Sequence, residues 1–185
     1  MAKTVKHINK TPTEGLLKNS LLNLIRTKPL RTITIKELCA QANVNRTTFY
    51  AHYDSTEEIL KSIQNELMDE LVKITQTITK TGCNVQEATT LLLIEIKKRK
   101  DTYSILFSSP DCLTFIQQFA TLLHTNISSK SMPYSNNANL KYYPIYMTNG
   151  IVACITQWVA ANCDIMPEEF SSLLLTVAHN SNLSR

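Results

Sequence analysis

Glycine is scarce in this chain, with three in 185 residues, and proline is limited to six. Strand-like alternation of apolar and polar residues never lasts more than a few positions, so sheet folds built on repeated tight turns are set aside. The expected fold class is all-α. No apolar stretch approaches the roughly 20 residues of a membrane span. The opening MAKTVKHINK lacks the apolar run of a secretory signal. The expectation is a cytoplasmic protein with no membrane partner. Five cysteines, Cys39, Cys83, Cys112, Cys154 and Cys163, are odd in number, widely spaced and without a CxxC pair. They read as reduced thiols rather than as a disulfide framework or a zinc site. Cys39 and Cys154 lie on apolar faces and are expected in the core, which leaves Cys112 and Cys163 as candidates for redox sensing. The four histidines, His7, His52, His124 and His179, are dispersed with no HExxH spacing, and GxSxG, a glycine-rich phosphate loop and a catalytic cysteine signature are all missing. No catalytic residue, cofactor or metal is expected.

What the chain does have is unevenly placed. Residues 1–65 hold ten Lys/Arg against five Asp/Glu, whereas residues 66–185 hold nine against ten. The basic end therefore carries the whole surplus of the +4 chain. Lys3, Lys6, Lys10, Lys18, Arg26, Lys28, Arg31 and Lys36 could neutralise phosphates there, with Lys18 and Arg26 the ones most readily read as ordinary surface cations.

The same end holds the most informative stretch, Thr34 to Leu60. Thr34 with Glu37 has capping-box spacing. Ile35, Leu38, Cys39 and Ala42 follow at helical period, so this helix packs inward. Asn43 stands where a helix stops by turning left-handed, a conformation asparagine tolerates. Val44 can bury in the angle, and Asn45 can cap the next helix. Phe49 and Tyr53, four apart, belong to the core side of that helix. Arg46, Thr47, Thr48, Tyr50 and His52 fall largely elsewhere, giving a short helix a polar face suited to reading DNA. Ser55 with Glu58 opens a third helix at Thr56. A polar helix face is more often a plain solvated surface; here three boundaries in register argue for more.

Around this core the remaining elements follow from caps and breakers. Thr11, Pro12 and Glu14 start a first helix whose stripe is Leu17, Leu21, Leu24 and Ile25, ended by Lys28-Pro29. Residues 1–10 form a basic arm. The helix from Ser55 runs through Leu67, Leu71 and Ile74 to about Thr79, and Gly82 to Asn84 breaks it. Helices are expected over 85–99, Asp101–Phe107 and Asp111 to Ile127, then a polar loop over 128–139, expected to be the most mobile part of the body. Residues 140–162 are apolar on nearly every face, and Pro167-Glu168-Glu169 opens a last helix carrying Phe170, Leu173, Leu174 and Val177. A helix apolar all round is buried or covers its second face with another chain. Gly150, Ala153, Cys154 and Ala161 are small enough for close approach of a partner helix. Gln157, Trp158, Phe170 and Leu174 complete the surface expected to meet such a helix, which the family resemblance given below implies belongs to a second copy. The alternative is that these helices only close the chain's own core.

The run Thr34-Ile35-Lys36-Glu37-Leu38-Cys39, the turn Asn43-Val44-Asn45 and above all Thr48-Phe49-Tyr50-Ala51-His52-Tyr53 resemble the TetR/AcrR family of bacterial transcription regulators. The spaced pattern Tyr-Tyr, Gly-Ile-Val, Gln-Trp, Pro-Glu-Glu is similar to the C-terminal portion of many members. Two positions depart: Asn43 replaces the usual turn glycine, and Thr56 replaces a lysine common at the start of the fourth helix, which puts one phosphate contact in doubt. The resemblance implies an N-terminal three-helix helix-turn-helix domain over 1–54 and a C-terminal helical domain over 55–185 for ligand binding and dimerisation, about nine helices in all. It implies Arg46, Thr47 and Thr48 at base edges or sugar-phosphate, Tyr50 and His52 at the backbone, and Thr34 at a phosphate, with Lys36 and Asn45 beside them. The partners implied are a palindromic operator in double-stranded DNA, a second copy of the chain, and an unidentified small-molecule effector that releases a repressor. No family motif marks the effector contacts; the aromatic and polar residues Tyr103, Phe107, Phe115, His124, Tyr143, Met147 and Trp158 are the candidates, although aromatics at helical spacing are more often core. A competing reading is an adaptor or co-activator working through a protein partner, which would have no need of the basic and hydroxyl residues kept on the reading helix.

Overall fold

The computed structural model describes residues 11–81, 84–128 and 142–180. Among them are nine α-helices and no strand: α1 (Pro12–Ile25), α2 (Ile35–Ala42), α3 (Arg46–His52), α4 (Thr56–Thr81), α5 (Val85–Lys98), α6 (Lys100–Ser108), α7 (Leu113–Ser128), α8 (Tyr143–Ala160) and α9 (Pro167–Asn180). The basic arm lies outside the described residues, as does the expected polar loop beyond Ser128. No described helix is long and apolar enough to cross a membrane. The chain divides into two compact units, residues 1–65 and 66–185, with the division falling inside α4.

In the first unit the expected caps form, with a twist in their chemistry. Thr11, Thr34 and Ser55 each accept from the backbone N–H three residues on, at 3.4, 3.2 and 3.2 Å. The returning half of each box does not close. Glu14 instead faces His52 Nδ1 at 3.4 Å, Glu37 pairs with Lys28, and Glu58 Oε2 accepts from the Asp54 N–H at 2.6 Å. Two of these carboxylates are thus diverted from local capping to tie helices together: Glu14 joins α1 to the end of α3, and Glu37 joins α2 to the segment after α1. Leu17, Leu21, Leu38, Phe49 and Ile59 are completely buried, so α1, α2, α3 and the start of α4 share one core. Burial of each such side chain contributes about 1.5–3 kcal/mol, which is how helices of seven and eight residues persist.

The second unit is held by aromatic packing. Tyr103 and Phe107 of α6 and Phe115 and Phe119 of α7 form a buried cluster with ring centroids 5.5–6.2 Å apart. At the other end of α8, Trp158 stacks on Phe170 of α9 at 4.9 Å and donates from its indole N–H to the Ile165 carbonyl at 3.0 Å. The α8–α9 turn needs two left-handed residues, Asn162 at φ 62° and Cys163 at φ 55°. The Cys163 N–H closes it on the Trp158 carbonyl at 2.9 Å. Asn84 and Glu87 make the one complete capping box among the described helices, at the start of α5. On α9, Ser171 hydrogen-bonds Thr90 of α5 at 2.7 Å.

The cysteine expectations change. Cys39 is buried as expected, but Cys154 is exposed, because the apolar character of α8 continues onto its uncovered face. Cys112 and Cys163 are buried, and burial pushes the Cys163 thiol up. Burial shields both thiols, and in Cys163 it also disfavours the reactive thiolate, so neither is well placed as a redox sensor.

Candidate nucleic-acid interface

The turn between α2 and α3 is built from its side chains upward. Asn43 takes φ 53° and ψ 44°, the left-handed stop, and the Val44 N–H returns to the Cys39 carbonyl at 3.0 Å. Val44 is half-buried in the angle. Asn45 then caps α3, its Oδ1 accepting from the Thr48 N–H at 2.7 Å. That oxygen is committed to the helix, so only the amide N–H groups of Asn45 point to a further role.

Phe49 anchors α3, with no exposed surface, and Tyr53 is buried beside it. Tyr50 stands edge-on to Phe49, with centroids 5.3 Å apart and planes at 88°, and is 56% exposed. This contact aims an aromatic hydroxyl outward without burying it. Arg46 and Thr47 at the first turn are exposed, and Thr48 is half-buried. Thr34 and Lys36 at the start of α2 are exposed. His52 differs from the rest: half-buried, with its ring engaged by Glu14. It positions α3 against α1 in this structure, a role the sequence did not single out.

The acids around this surface are largely occupied. Glu14, Glu37 and Glu58 have the partners described above, and Glu57 is held below the ordinary glutamate range by its own backbone N–H at the start of α4, with Ser55 and Thr56 adding hydrogen bonds. Thr56, in the place of the expected lysine, is buried and bonds Glu57 at 3.2 Å. Among the cations, Lys18 is buried and Lys28 is paired with Glu37, so the exposed Arg31, Lys36 and Arg46 are better placed to meet phosphate. A short helix with a capped N-terminus, exposed arginine and hydroxyls, and an apolar anchor behind them fits a helix laid in a DNA groove.

The chain matches two family profiles. Residues 20–63 match the profile described as "Bacterial regulatory proteins, tetR family". Residues 83–180 match one described as "Transcriptional regulator C-terminal region", a TetR C-terminal domain. The chain belongs to the TetR family of DNA-binding transcription regulators. Comparison of its sequence with curated proteins finds no match. Among solved structures it is similar to a TetR transcriptional regulator from Streptococcus agalactiae, with 19% identity over 89% of this chain and 92% of that one and a TM-score of 0.68. It is also similar to the transcriptional regulator FadR from Bacillus subtilis in complex with stearoyl-CoA, with 13% identity, coverage of 88% and 96%, and a TM-score of 0.61. A third is the dihydroxyacetone kinase operon activator DhaS, with 18% identity, coverage of 90% and 93%, and a TM-score of 0.57. At these identities the likeness is one of fold.

The other expected sites of this TetR-family chain separate into distinct places. Tyr103, Phe107 and Phe115 meet in the aromatic cluster. His124 is half-buried, with Nδ1 3.3 Å from the hydroxyl of the buried Thr148. Met147 is buried in α8 and Tyr143 half-buried at its start, while Trp158 belongs with Phe170. Of the expected interface residues, Gly150, Ala153, Cys154 and Gln157 lie on the exposed side of α8, and Ala161, just after its end, is exposed as well. Trp158, Phe170 and Leu174 are buried in the chain's own core and support that side from behind. Ile145 and Tyr146 of α8 and Leu173 and Val177 of α9 are exposed by half or more, large apolar side chains that extend it. The sequence offered no sign of one further contact: Glu70 of α4 accepts from Arg99 Nη2 at 2.6 Å, joining residues 29 apart. Neither lies in a motif.

Proposed function

We propose that this TetR-family regulator is a repressor that binds a palindromic operator as a homodimer and releases it when a small molecule occupies its C-terminal part. Residues 1–54 serve as the reading head, and 55–185 as the regulatory and dimerising body. The observation that carries the reading is the outward face of α3, where Arg46, Thr47 and Tyr50 are exposed around a buried Phe49. Arg46 and Thr47, with the half-buried Thr48, take base edges or sugar-phosphate; Tyr50, Thr34 and Lys36 take the backbone. Asn45 acts chiefly as the cap that holds this turn, and His52 chiefly through Glu14.

One recognition helix of seven residues meets few bases. Two of them, related by a two-fold axis, read half-sites roughly 34–36 Å apart. The exposed apolar face of α8 and α9 supplies the second requirement, a surface that another copy can cover. Control then follows from linkage: an effector favours the conformation that fits the operator poorly, and its effect is bounded by its differential affinity for the two states. The FadR neighbour, whose complex contains stearoyl-CoA, supports a body of this fold as a ligand site.

A second reading, activation rather than repression, is favoured by one neighbour, the operon activator DhaS. Selection of bound sequences from random DNA with the purified chain tests the common core. An enriched palindrome is the expected result; enrichment of nothing above input would overturn DNA reading altogether. Placing the enriched site upstream of, or overlapping, a reporter promoter then separates activator from repressor.

A further inference from the structure

Two buried polar atoms of the second unit, one of them on the aromatic cluster, are unmatched among the described residues. Tyr103 has no exposed surface, and its hydroxyl makes no hydrogen bond among the described residues. Glu70 Oε2 is likewise buried and unbonded, while the other carboxylate oxygen accepts from Arg99. A tyrosine serving only to pack could be a phenylalanine, as Phe107, Phe115 and Phe119 around it are. A buried hydroxyl without a partner is costly, and calls for something that bonds to it. The two groups also feel each other: after burial, the charge of Glu70 is the next contribution holding the Tyr103 phenol above its ordinary range.

The chemistry of a matching guest follows from this pair. Tyr103 offers a donor and Glu70 Oε2 an acceptor, so the guest must both accept and donate. Glu70 is already neutralised by Arg99 at 2.6 Å. An anionic head would be set against Glu70, and a cationic one against Arg99. A hydroxyl or a primary amide meets both groups without a charge. The rings packed with Tyr103 are apolar, so an apolar body suits the side of the site away from Glu70. We propose that Glu70 and Tyr103 are the polar end of the effector site, and that the effector class is an uncharged molecule with a hydroxyl or primary amide head and an apolar body. This rests on reading the C-terminal body as the regulatory part. Because Glu70 belongs to α4, the helix that starts at Thr56 in the first unit, the head group bears on the one helix that both units share.

Calorimetric titration of the full chain, free of DNA, with 1-octanol, octanamide and octanoate tests the site. The expected result is that octanol or octanamide binds about tenfold more tightly than octanoate, and that Tyr103→Phe, which keeps the ring packing, weakens the neutral probes about tenfold without lowering the melting temperature. Absence of binding by both neutral probes overturns the proposal, as does equal affinity for wild type and Tyr103→Phe. A wild-type chain that binds neither neutral probe, beside a Tyr103→Phe chain that melts earlier, identifies a structural water between the two groups and overturns it as well. A gel shift on the selected DNA, with and without octanol, keeps the two readings apart. DNA binding with no octanol binding removes this site and leaves the regulator, whereas octanol binding with no DNA binding does the reverse.

Discussion

Among the exposed helix faces of the described residues, two have opposite chemistry. The outward face of α3 carries Arg46, Thr47 and Tyr50, with Lys36 nearby on α2. The outward face of α8 and α9 carries Ile145, Tyr146, Ala153, Cys154, Leu173 and Val177. Exposure alone says little, since single apolar residues are common on any surface. Continuity is what matters. On α8 the exposed positions 145, 146, 149, 150, 153 and 154 recur at helical spacing along most of its length. The first surface offers charge and hydrogen-bonding groups, whereas the second, apart from Asn149 and Gln157, offers mainly apolar ones. A polyanion suits one and a copy of the same apolar face suits the other.

The sharpest way to break this comparison is at the polar face. Arg46→Ala removes an exposed side chain, so the fold should change by no more than about 0.5 kcal/mol. A lost base contact costs roughly 1–3 kcal/mol per recognition helix, and a dimer loses it twice. Operator affinity should therefore fall by at least about thirtyfold in a gel shift, with the melting temperature almost unmoved. Affinity that stays within threefold would take Arg46 out of the interface and return α3 to the status of a solvated helix.

The apolar face is tested next, at Gly150. An added Cβ there meets nothing within 4 Å, so the chain itself has room for a large residue. Gly150→Arg also replaces a poor helix former, a change worth roughly 0.5–1 kcal/mol in favour of the helix. A folded monomer in sedimentation is expected, with helical content retained and operator binding greatly weakened because the two heads are no longer joined. A dimer that survives the arginine places the contact on another surface and breaks the contrast between the two faces.

These two surfaces were not equally legible in the sequence. The recognition turn could be read almost residue by residue, because caps, the Asn43 stop and the Phe49 anchor act within a few positions of one another. What the turn hid was tertiary: spacing showed three capping boxes, and the fold diverted Glu14 and Glu37 to His52 and Lys28. The apolar stretch of α8 was visible as composition, but which side it buried was not. With nearly every position apolar, periodicity carries no phase. Trp158 and Cys154 consequently read alike, and only packing against α9 separates the buried Trp158 from the exposed Cys154. Glu70 and Arg99 were least legible, since their contact depends on helices brought together across 29 residues.

The smallest expected effect sharpens the electrostatic side of the comparison. Glu57 puts a negative charge at the start of α4, in the unit with the surplus of cations, and Glu57→Gln removes it without altering shape. Two consequences oppose each other. Affinity for non-specific DNA should rise slightly and become more salt-sensitive, because one repulsive charge near phosphate is gone. Stability should fall slightly at neutral pH, because the fold holds the carboxyl below its ordinary value of 4.5, first through the backbone N–H of Glu57 itself. A depressed folded value means that the stabilisation is present above the ordinary glutamate range and lost as pH falls through the folded value. Thermal melts of the two chains should thus differ at pH 7 and converge in acid. A difference that persists unchanged at about pH 3, below the ordinary glutamate range, would show that the substituted amide disturbs the helix start by shape rather than by charge. The rise in DNA affinity could not then be assigned to electrostatics.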